Sequence, residues 1–232
     1  MREEKKFRTF VFGHEVYYKH VFKKITRKHL ERFLEKHRTE KRVLDIGSGG
    51  SGYDKYFPNR LTVDIDPKRS PEVVGDIEAL PFKDGAFEFV LCTEVLEHVN
   101  NPSVAVSELH RVLAKGGTLV LTTRFIYPIH DAPQDNFRFT KYGLRRLFQD
   151  WDIVELSEET TGFAAIAVLL QRFALQMRFR FDKPVKLLLF LLAWLLTKLN
   201  WLIVKEYGDI KKSTEESHLF ASGYYLVARK KT

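Results

Sequence analysis

The sequence is poor in sulfur-containing residues, with one cysteine and two methionines among 232 residues. A single cysteine excludes an internal disulfide and a C-x-x-C metal pair, and it suits a reducing compartment. Cys92 lies in an apolar run, which predicts a small core residue rather than a nucleophile. The start of the chain has no secretory signal, because Phe7–Phe12 is too short and too interrupted to form one. These absences predict a cytoplasmic protein.

The chain also lacks an unbroken run of about twenty apolar residues, the length that a membrane-spanning helix needs. Leu187–Leu196 supplies ten such residues and Leu199–Val204 supplies six. One crossing would leave the final predicted strand on the wrong side of the bilayer, and two crossings would bring arginines into lipid. For this insertion, at about 162–207, four interpretations stay open: a spanning segment, an interfacial hairpin anchored by Trp194 and Trp201, a cap over an acceptor cleft, and a homodimer interface.

The excess positive charge is confined to one end of the chain. Residues 1–42 carry fourteen Lys/Arg and six Asp/Glu, whereas the rest of the chain carries 24 of each. Apolar residues recur at helical spacing from Tyr18 to Leu34, with basic residues between them, which predicts an amphipathic helix in an arm at 1–40. This helix could pack on a sheet, bind an anionic membrane surface or bind RNA. The absence of a recognised RNA-binding signature argues against nucleic acid.

Residues 43–54 read VLDIGSGGSGYD, an apolar strand followed by a loop with glycines at 47, 49 and 52. Glycines at these positions let the backbone turn tightly and approach a ligand. The spacing alone is shared by many nucleotide-binding folds. Asp45 discriminates between them, because a carboxylate beside the loop would repel a pyrophosphate. It suits the ammonium and sulfonium groups of S-adenosylmethionine (SAM).

Apolar strands alternate with helical segments from Lys41 to Val120, which predicts a doubly wound parallel sheet. An acid about twenty residues beyond the glycine loop is expected to hold ribose hydroxyls, and Asp64, backed by Asp66, meets this requirement. Asp45, Asp64, Asp76 and Glu94 all follow strands, where a ligand cleft requires them. The predicted strands are Arg42–Ile46, Leu61–Asp64, Glu72–Gly75, Phe87–Cys92, Thr118–Thr122, Trp151–Leu156 and Leu219–Arg229.

These motifs, in this order, resemble those of the class I SAM-dependent methyltransferases, specifically the type 11 branch. The resemblance covers about 40–155 and returns at 219–230. It implies an α/β fold with a Rossmann-like doubly wound sheet of about seven strands, the last antiparallel. An N-terminal helix precedes the methyltransferase domain at 41–232, which carries the hydrophobic helical insertion before its last strand. The resemblance implies SAM as donor, S-adenosylhomocysteine as product, and these cofactor-binding residues: Asp45, Gly47, Ser48, Gly49, Gly50, Gly52, Asp64, Ile65, Asp66, Asp76, Ile77, Thr93 and Glu94.

The loop at 123–140 is long and rich in aromatic and proton-handling side chains, which usually indicates function. Its H-x-x-P-x-D-x-x-R-x-T pattern is similar to one that recurs in type 11 enzymes. The methyl acceptor is expected to contact Tyr127, His130 and Asp135. His130 is the first candidate for a general base and His98 the second. The alternative is a network in which Arg138 bridges Asp135 and the next helix cap, with His98 bonding locally.

No metal site is expected, because His130 and Asp131 have no second histidine at ligand spacing and a sulfonium is already a strong electrophile. The favoured function is methyl transfer to a small, hydrophobic or lipid-linked acceptor. The protein would then lie at the inner face of the cell membrane. Two alternatives remain: a nucleic-acid or protein methyltransferase steered by the basic arm, and a non-catalytic SAM-binding scaffold.

Overall fold

A computed structural model of the protein describes residues 23–50, 52–206 and 219–231. The part of the predicted amphipathic helix that precedes residue 23 lies outside these residues. The described chain is divided into two compact units. The sheet unit comprises 33–50, 52–159 and 221–231, and the helical unit comprises 23–32, 160–206 and 219–220.

The sheet unit contains seven strands and three helical segments between or before them. The strands are β1 (Val43–Ile46), β2 (Arg60–Asp64), β3 (Val73–Val74), β4 (Phe87–Thr93), β5 (Leu113–Arg124), β6 (Trp151–Glu158) and β7 (Gly223–Lys230). The helices are α1 (Ile25–Lys36), which begins in the other unit, α2 (Pro102–Val112) and α3 (Lys141–Leu147).

The strands form one sheet in the order β3-β2-β1-β4-β5-β7-β6. Neighbours pair in parallel, except that β7 is antiparallel to both β5 and β6. After β1, the chain adds β2 and β3 on one side of β1 and then crosses over to add β4 on its other side. Ligands in such sheets bind beyond the carboxyl ends of the strands at this reversal. The predicted α/β architecture with an antiparallel last strand is confirmed.

The strands were readable in the sequence because buried parallel strands are apolar along their whole length. Leu44, Val90 and Leu121 in β1, β4 and β5 have no exposed surface. Cys92 is equally buried, and burial raises the pKa of its thiol, as expected for a core residue rather than a nucleophile. The strands therefore supply a rigid base for the loops at their carboxyl ends.

A glycine loop after the first strand of such a sheet is expected to open a helix whose N-terminal amides face the ligand, but residues 47–50 and 52–59 contain no helix. Residues 52–59 form turns, in which the amides of Tyr56 and Phe57 donate to the carbonyl of Tyr53 at 2.8 and 3.0 Å. Thirteen residues separate β1 from β2, and three of them after Gly47 are glycines, each of which disfavours a helix by about 1 kcal/mol. Pro58 then blocks continuation. No helix N-terminus therefore faces the ligand from this loop.

Two other boundaries differ from what the sequence suggests. The pattern Lys115-Gly116-Gly117 predicts the end of a helix over Ser103–Leu113, but β5 already begins at Leu113 and its register against β4 shifts near Phe87. Gly116, with a φ of +70°, lies at this irregularity. The last strand begins at Gly223 rather than Leu219.

The helical unit is an α-hairpin of α4 (Gly162–Gln176) and α5 (Asp182–Leu199). Ala174 of α4 and Phe190 of α5 are buried in its small core. The opposite side of α5 exposes a continuous set of large apolar side chains, each 41–58% exposed: Leu187, Leu188, Leu191, Leu192, Trp194 and Leu195. By length and composition alone, Asp182–Leu202 could cross a membrane.

Candidate cofactor and acceptor site

The glycine loop is fastened to the end of β2 by its own amides. Gly47 and Ser48 donate to the carbonyl of Val63 at 2.8 and 3.2 Å, and Gly49 donates to Asp64 Oδ2 at 2.8 Å. Gly47 has a φ of +67°, and a Cβ there would lie 2.1 Å from a methyl group of Val95. Only glycine fits at this close approach between the loop and the segment after β4.

A cavity of about 140 Å³ opens beside this loop. Six predicted residues line it: Gly47, Asp64, Ile65, Asp76, Ile77 and His98. Sequence reasoning missed the remaining lining residues, which lie at the same strand ends or in the segments after them: Ile46, Gly75, Glu78, Val95, Val99, Asn100 and Gln134. Proximity in the chain to a predicted strand end was the available signal for all of these except Gln134.

Eight other predicted cofactor residues do not line the cavity: Asp45, Ser48, Gly49, Gly50, Gly52, Asp66, Thr93 and Glu94. Most are engaged in the supporting structure. Asp66 caps a short 3₁₀ turn by accepting from the amide of Lys68, and Thr93 lies 3.4 Å from the Tyr53 hydroxyl. Their roles toward SAM remain predictions.

Asp64 and Asp76 are both held in fixed orientations by backbone amides. Asp64 accepts from Gly49 at Oδ2 and from Asp66 at Oδ1, the latter at 3.0 Å. Asp76 Oδ1 accepts from the amide of Glu78 at 2.9 Å. A carboxylate oxygen has two acceptor sites, so each bonded oxygen keeps capacity for a hydroxyl or amino donor.

Asp45 is fully buried and only half satisfied. Its Oδ2 lies 2.5 Å from Nη1 of Arg60, whereas Oδ1 is buried without a hydrogen-bond partner among the described residues. Burial raises the pKa of this carboxyl to about 6, and the Arg60 guanidinium opposes the rise. The site therefore holds an uncompensated acceptor directly before the glycine loop.

This donor set fits SAM. The glycines supply a cradle that a Cβ would fill, and Asp64 and Asp76 supply acceptors for a diol and an amino group. The free Oδ1 of Asp45 suits a positive charge, and the carboxylates of Asp45, Asp64 and Asp76 would repel a phosphate-bearing nucleotide.

A second charged group is centred on Arg124, at the end of β5. Its guanidinium is buried, forms an ion pair with Glu94, and lies 2.6 Å from Glu159 Oε2 and 4.3 Å from the centre of the Tyr127 ring. Burial raises the pKa of the Glu94 carboxyl, and Arg124 opposes this. Glu94 has a φ of +58°, so the chain turns sharply where β4 meets this network.

The loop between β5 and α3 is fastened to the segment after β4. The amides of Asn136 and Phe137 donate to the carbonyl of Glu97 at 2.9 and 3.0 Å, and the Asn136 side chain donates to the carbonyls of His98 and Val99. These bonds bring residues 37 to 40 positions apart in the chain into contact. The site therefore includes side chains from both segments.

The predicted acceptor residues are brought together around His130. Its ring centre lies 4.8 Å from that of His98 and 5.2 Å from that of Tyr127, and its Nδ1 lies 3.4 Å from Asp135 Oδ2. Burial lowers the pKa of His130 to about 4, so the ring is neutral at physiological pH. Arg138 clamps Asp135 with two bonds of 2.5 and 2.6 Å, but its other bonds go to the carbonyls of Tyr127, Pro128 and Phe137 rather than to the helix cap that the predicted stapling network included.

Glu97 completes this cluster and was not singled out in the sequence. Its carboxylate has no exposed surface, and Oε1 lies 3.9 Å from His130 Nε2. Burial raises the pKa of this carboxyl, against the opposing influence of Arg124. Single ligand atoms of Glu97, His98 and His130 all lie within 4.8 Å of one another. The sequence around His130 could not reveal this cluster, because its residues come from two separate segments, one after β4 and one after β5.

Residues 44–121 match a family model described as a methyltransferase domain. This part of the chain is therefore a methyltransferase domain of that family. The type 11 assignment and the predicted fold class are thereby confirmed, and the family implies the use of SAM.

Two curated relatives illustrate the likeness. The demethylmenaquinone methyltransferase of Renibacterium salmoninarum is 33% identical over 122 residues, which cover 46% of this chain and 49% of the relative. The uncharacterized methyltransferase YcgJ of Bacillus subtilis is 31% identical over 118 residues, covering 42% and 44%. The chain thus spans about half the length of the curated relatives it matches.

A solved structure, that of a putative methyltransferase from Bacillus halodurans, has the same fold. It aligns with a TM-score of 0.52 over 89% of this chain and 99% of that chain, at 20% identity. At this identity the likeness supports the methyltransferase fold alone.

Proposed function

We propose that the protein is a SAM-dependent methyltransferase whose acceptor is a small hydrophobic or lipid-linked molecule presented at a membrane surface. The observation that carries the proposal is the acid-lined cavity beside the glycine loop, in a chain whose helical unit exposes a long apolar face. A curated relative named for demethylmenaquinone supports an acceptor of this apolar class.

SAM supplies a methyl group on a positively charged sulfur, an electrophile that needs alignment more than activation. The chain's own residues provide that alignment. In this proposal Asp64 accepts the ribose hydroxyls and Asp76 and Ile77 bind the adenine, which is supported by their position in the cavity wall. Asp45 faces the positive charge, which is supported by its unpaired Oδ1. The glycine loop keeps side chains out of the space between these groups.

The acceptor end of the site is formed by Tyr127, His98, His130 and Asp135. His98 lines the cofactor cavity and contacts His130, so these rings connect the cavity to the predicted acceptor position. The bidentate clamp of Arg138 on Asp135 holds the loop that carries them. A fixed loop of this kind favours one orientation of a planar acceptor.

The membrane part of the proposal rests on α5. Its exposed leucines lie opposite Phe190 and Ala193, which pack against α4, so the apolar face has no partner among the described residues. Exposed basic side chains flank this face: Arg178, Arg180, Lys183, Lys198 and Lys205. Apolar insertion combined with basic attraction to anionic lipid is the pair of signals that stable surface binding requires.

Chain topology favours a helix that lies in the membrane surface over one that spans the bilayer. The chain leaves the sheet after β6 and re-enters it at β7, where Glu158 and Tyr224 are paired. A segment that starts and ends at one sheet must cross the bilayer an even number of times. Two crossings by α4 and α5 would bring Arg172, Arg178 and Arg180 into or near the lipid. Residues 207–218 carry five Asp, Glu and Lys residues, too many for a return crossing after α5.

The activity is tested by incubating the purified protein with methyl-labelled SAM and a membrane lipid extract, followed by mass spectrometry. Transfer of label to an extractable lipid or quinone is expected, and Asp64→Ala should abolish it. Label on protein or RNA alone would contradict the proposed acceptor class. Absence of SAM binding by calorimetry would contradict the activity itself.

The membrane proposal is tested by sedimentation with vesicles of mixed phosphatidylglycerol and phosphatidylcholine. The double variant Leu188→Gln, Leu192→Gln should reduce vesicle binding at least about tenfold, because it exposes two amides in place of about 1.5–3 kcal/mol of apolar burial each. Val154→Gln changes an equally exposed apolar residue of β6 and serves as the matched control. Equal binding of all three proteins would refute the proposal. The proposal would also be refuted if the natural chain bound no vesicles and instead formed a dimer that the double substitution dissociates.

A further inference from the structure

The cluster of Glu97, His98 and His130 contains more unsatisfied polar atoms than a structural network should. Glu97 Oε1 and both ring nitrogens of His130 are buried without a hydrogen-bond partner among the described residues. Buried polar groups are normally paired, because an unpaired one keeps the full cost of its desolvation. Glu97 Oε2 is satisfied by the Thr123 hydroxyl at 2.8 Å, so Oε1 is left as the free acceptor.

Each imidazole has a ring nitrogen within 4.8 Å of a Glu97 carboxylate oxygen. His98 Nδ1 lies 2.6 Å from the backbone carbonyl of Gln134, so Nδ1 is the donor and, in the neutral ring, Nε2 carries the lone pair. His130 Nδ1 faces Asp135 Oδ2 at 3.4 Å, while its Nε2 faces Glu97 Oε1 at 3.9 Å. A carbonyl or carboxylate behind each histidine is the usual second shell of a metal ligand.

The charges around the cluster leave a negative excess. Arg138 is paired with Asp135, and Arg124 is shared by Glu94 and Glu159. Glu97 has no Lys or Arg within ion-pair distance in the part of the chain that the structure describes. With these carboxylates ionised, four of them face two guanidinium groups, a surplus of two negative charges that one divalent cation would balance.

We propose that Glu97, His98 and His130 form a binding site for one divalent transition-metal ion. Two imidazoles and one carboxylate, with positions left open, are the ligand set that Zn²⁺, Fe²⁺ and Co²⁺ accept. Mg²⁺ and Ca²⁺ prefer oxygen ligands throughout, so they fit this set less well.

Binding requires a small contraction of the cluster. Ligands held at about 2.0–2.2 Å from one ion lie about 3–3.5 Å apart, and the atoms here lie within 4.8 Å. Side-chain movements of about 1 Å close this gap. The catalytic meaning of the site rests on the proposed function. Because His98 also lines the cofactor cavity, a bound ion would be positioned to lower the pKa of an acceptor hydroxyl.

The site is tested by titrating tag-free, metal-stripped protein with Co²⁺ and recording its visible absorption, which needs neither SAM nor acceptor. One equivalent should bind and be displaced by Zn²⁺. Glu97→Gln and His98→Ala should weaken binding at least about 100-fold, since even loss of an orienting partner weakens metal binding about 10–100-fold. His110→Ala, which alters a histidine of α2 outside the cluster, should bind Co²⁺ normally.

Circular dichroism establishes that each variant is folded, and His130→Gln replaces any variant that is not. No Co²⁺ spectrum at millimolar metal, or binding that survives all three ligand substitutions, would overturn the site. Metal binding without methyl transfer would count against the proposed function alone. Methyl transfer that a chelator leaves unchanged, in a protein that binds no Co²⁺, would count against the metal site alone.

Discussion

Asp45 allows a direct test of the cofactor site, because its carboxyl titrates close to neutral pH. Burial raises its pKa to about 6, and the neighbouring Arg60 guanidinium opposes the rise. A positive ligand group beside Oδ1 favours the ionised form, so below pH 6 a proton must leave before SAM binds. The affinity for SAM is therefore expected to be full above about pH 7 and to decrease as the pH falls through 6.

The expected loss is about tenfold between pH 7 and pH 5. Over this interval the ionised fraction of a group with a pKa of about 6 falls from about 90% to about 10%, which corresponds to about 1.4 kcal/mol. Isothermal titration calorimetry at pH 5.5, in two buffers of different ionisation enthalpy, should also detect proton release on binding. Asp45→Asn should bind weakly at both pH values and release no proton. Equal affinity at pH 7 and pH 5, without proton release in the natural chain, would refute the role of Asp45.

Two further predictions concern stability. Gly47→Ala should lower the free energy of unfolding by about 1–3 kcal/mol or more, because the residue has a positive φ and its Cβ has no space. A Cβ at Gly52 would lie in open space, so Gly52→Ala should change the free energy of unfolding by less than about 0.5 kcal/mol. Urea denaturation of both variants makes the comparison. Arg124→Met leaves the buried Glu159 and the half-buried Glu94 without their cation and should cost about 3–5 kcal/mol by the same measurement. Exposed Arg145→Met is its control, and similar losses for both arginines would contradict the buried network.

The parts of this protein that sequence reasoning predicted are those fixed by local chain geometry. Phe87–Thr93 was recognisable because a strand buried on both faces is continuously apolar. Asp64 and Asp76 were recognisable because strand ends in this sheet type always meet at one edge, and both line the cavity. A residue at the end of a predicted strand can therefore be assigned to this edge of the sheet from the sequence alone.

The parts that sequence reasoning missed depend on pairing between distant segments. The Asp45–Arg60 ion pair follows from the parallel register of β1 against β2, which no local pattern encodes. The grouping of Glu97 with His130 depends on loop amides that bond to the carbonyl at position 97. The connection between β1 and β2 is too short and too rich in glycine for a helix, whereas the glycine motif alone suggested a longer connection that contains one.

The two unsatisfied carboxylate oxygens give the strongest reason to treat both ends of the cleft as ligand sites. Among the described residues, the buried carboxylate oxygens without a hydrogen-bond partner are Asp45 Oδ1 and Glu97 Oε1. Each belongs to one of the two central strands or the segment just after it, where the order of the sheet reverses. A buried carboxylate with an unpartnered oxygen either takes up a proton, as the raised pKa of both groups indicates, or keeps its charge when a further positive group lies beside it. A sulfonium donor at Asp45 and a divalent ion at Glu97 would each supply that charge, so loss of either oxygen should affect binding before it affects folding.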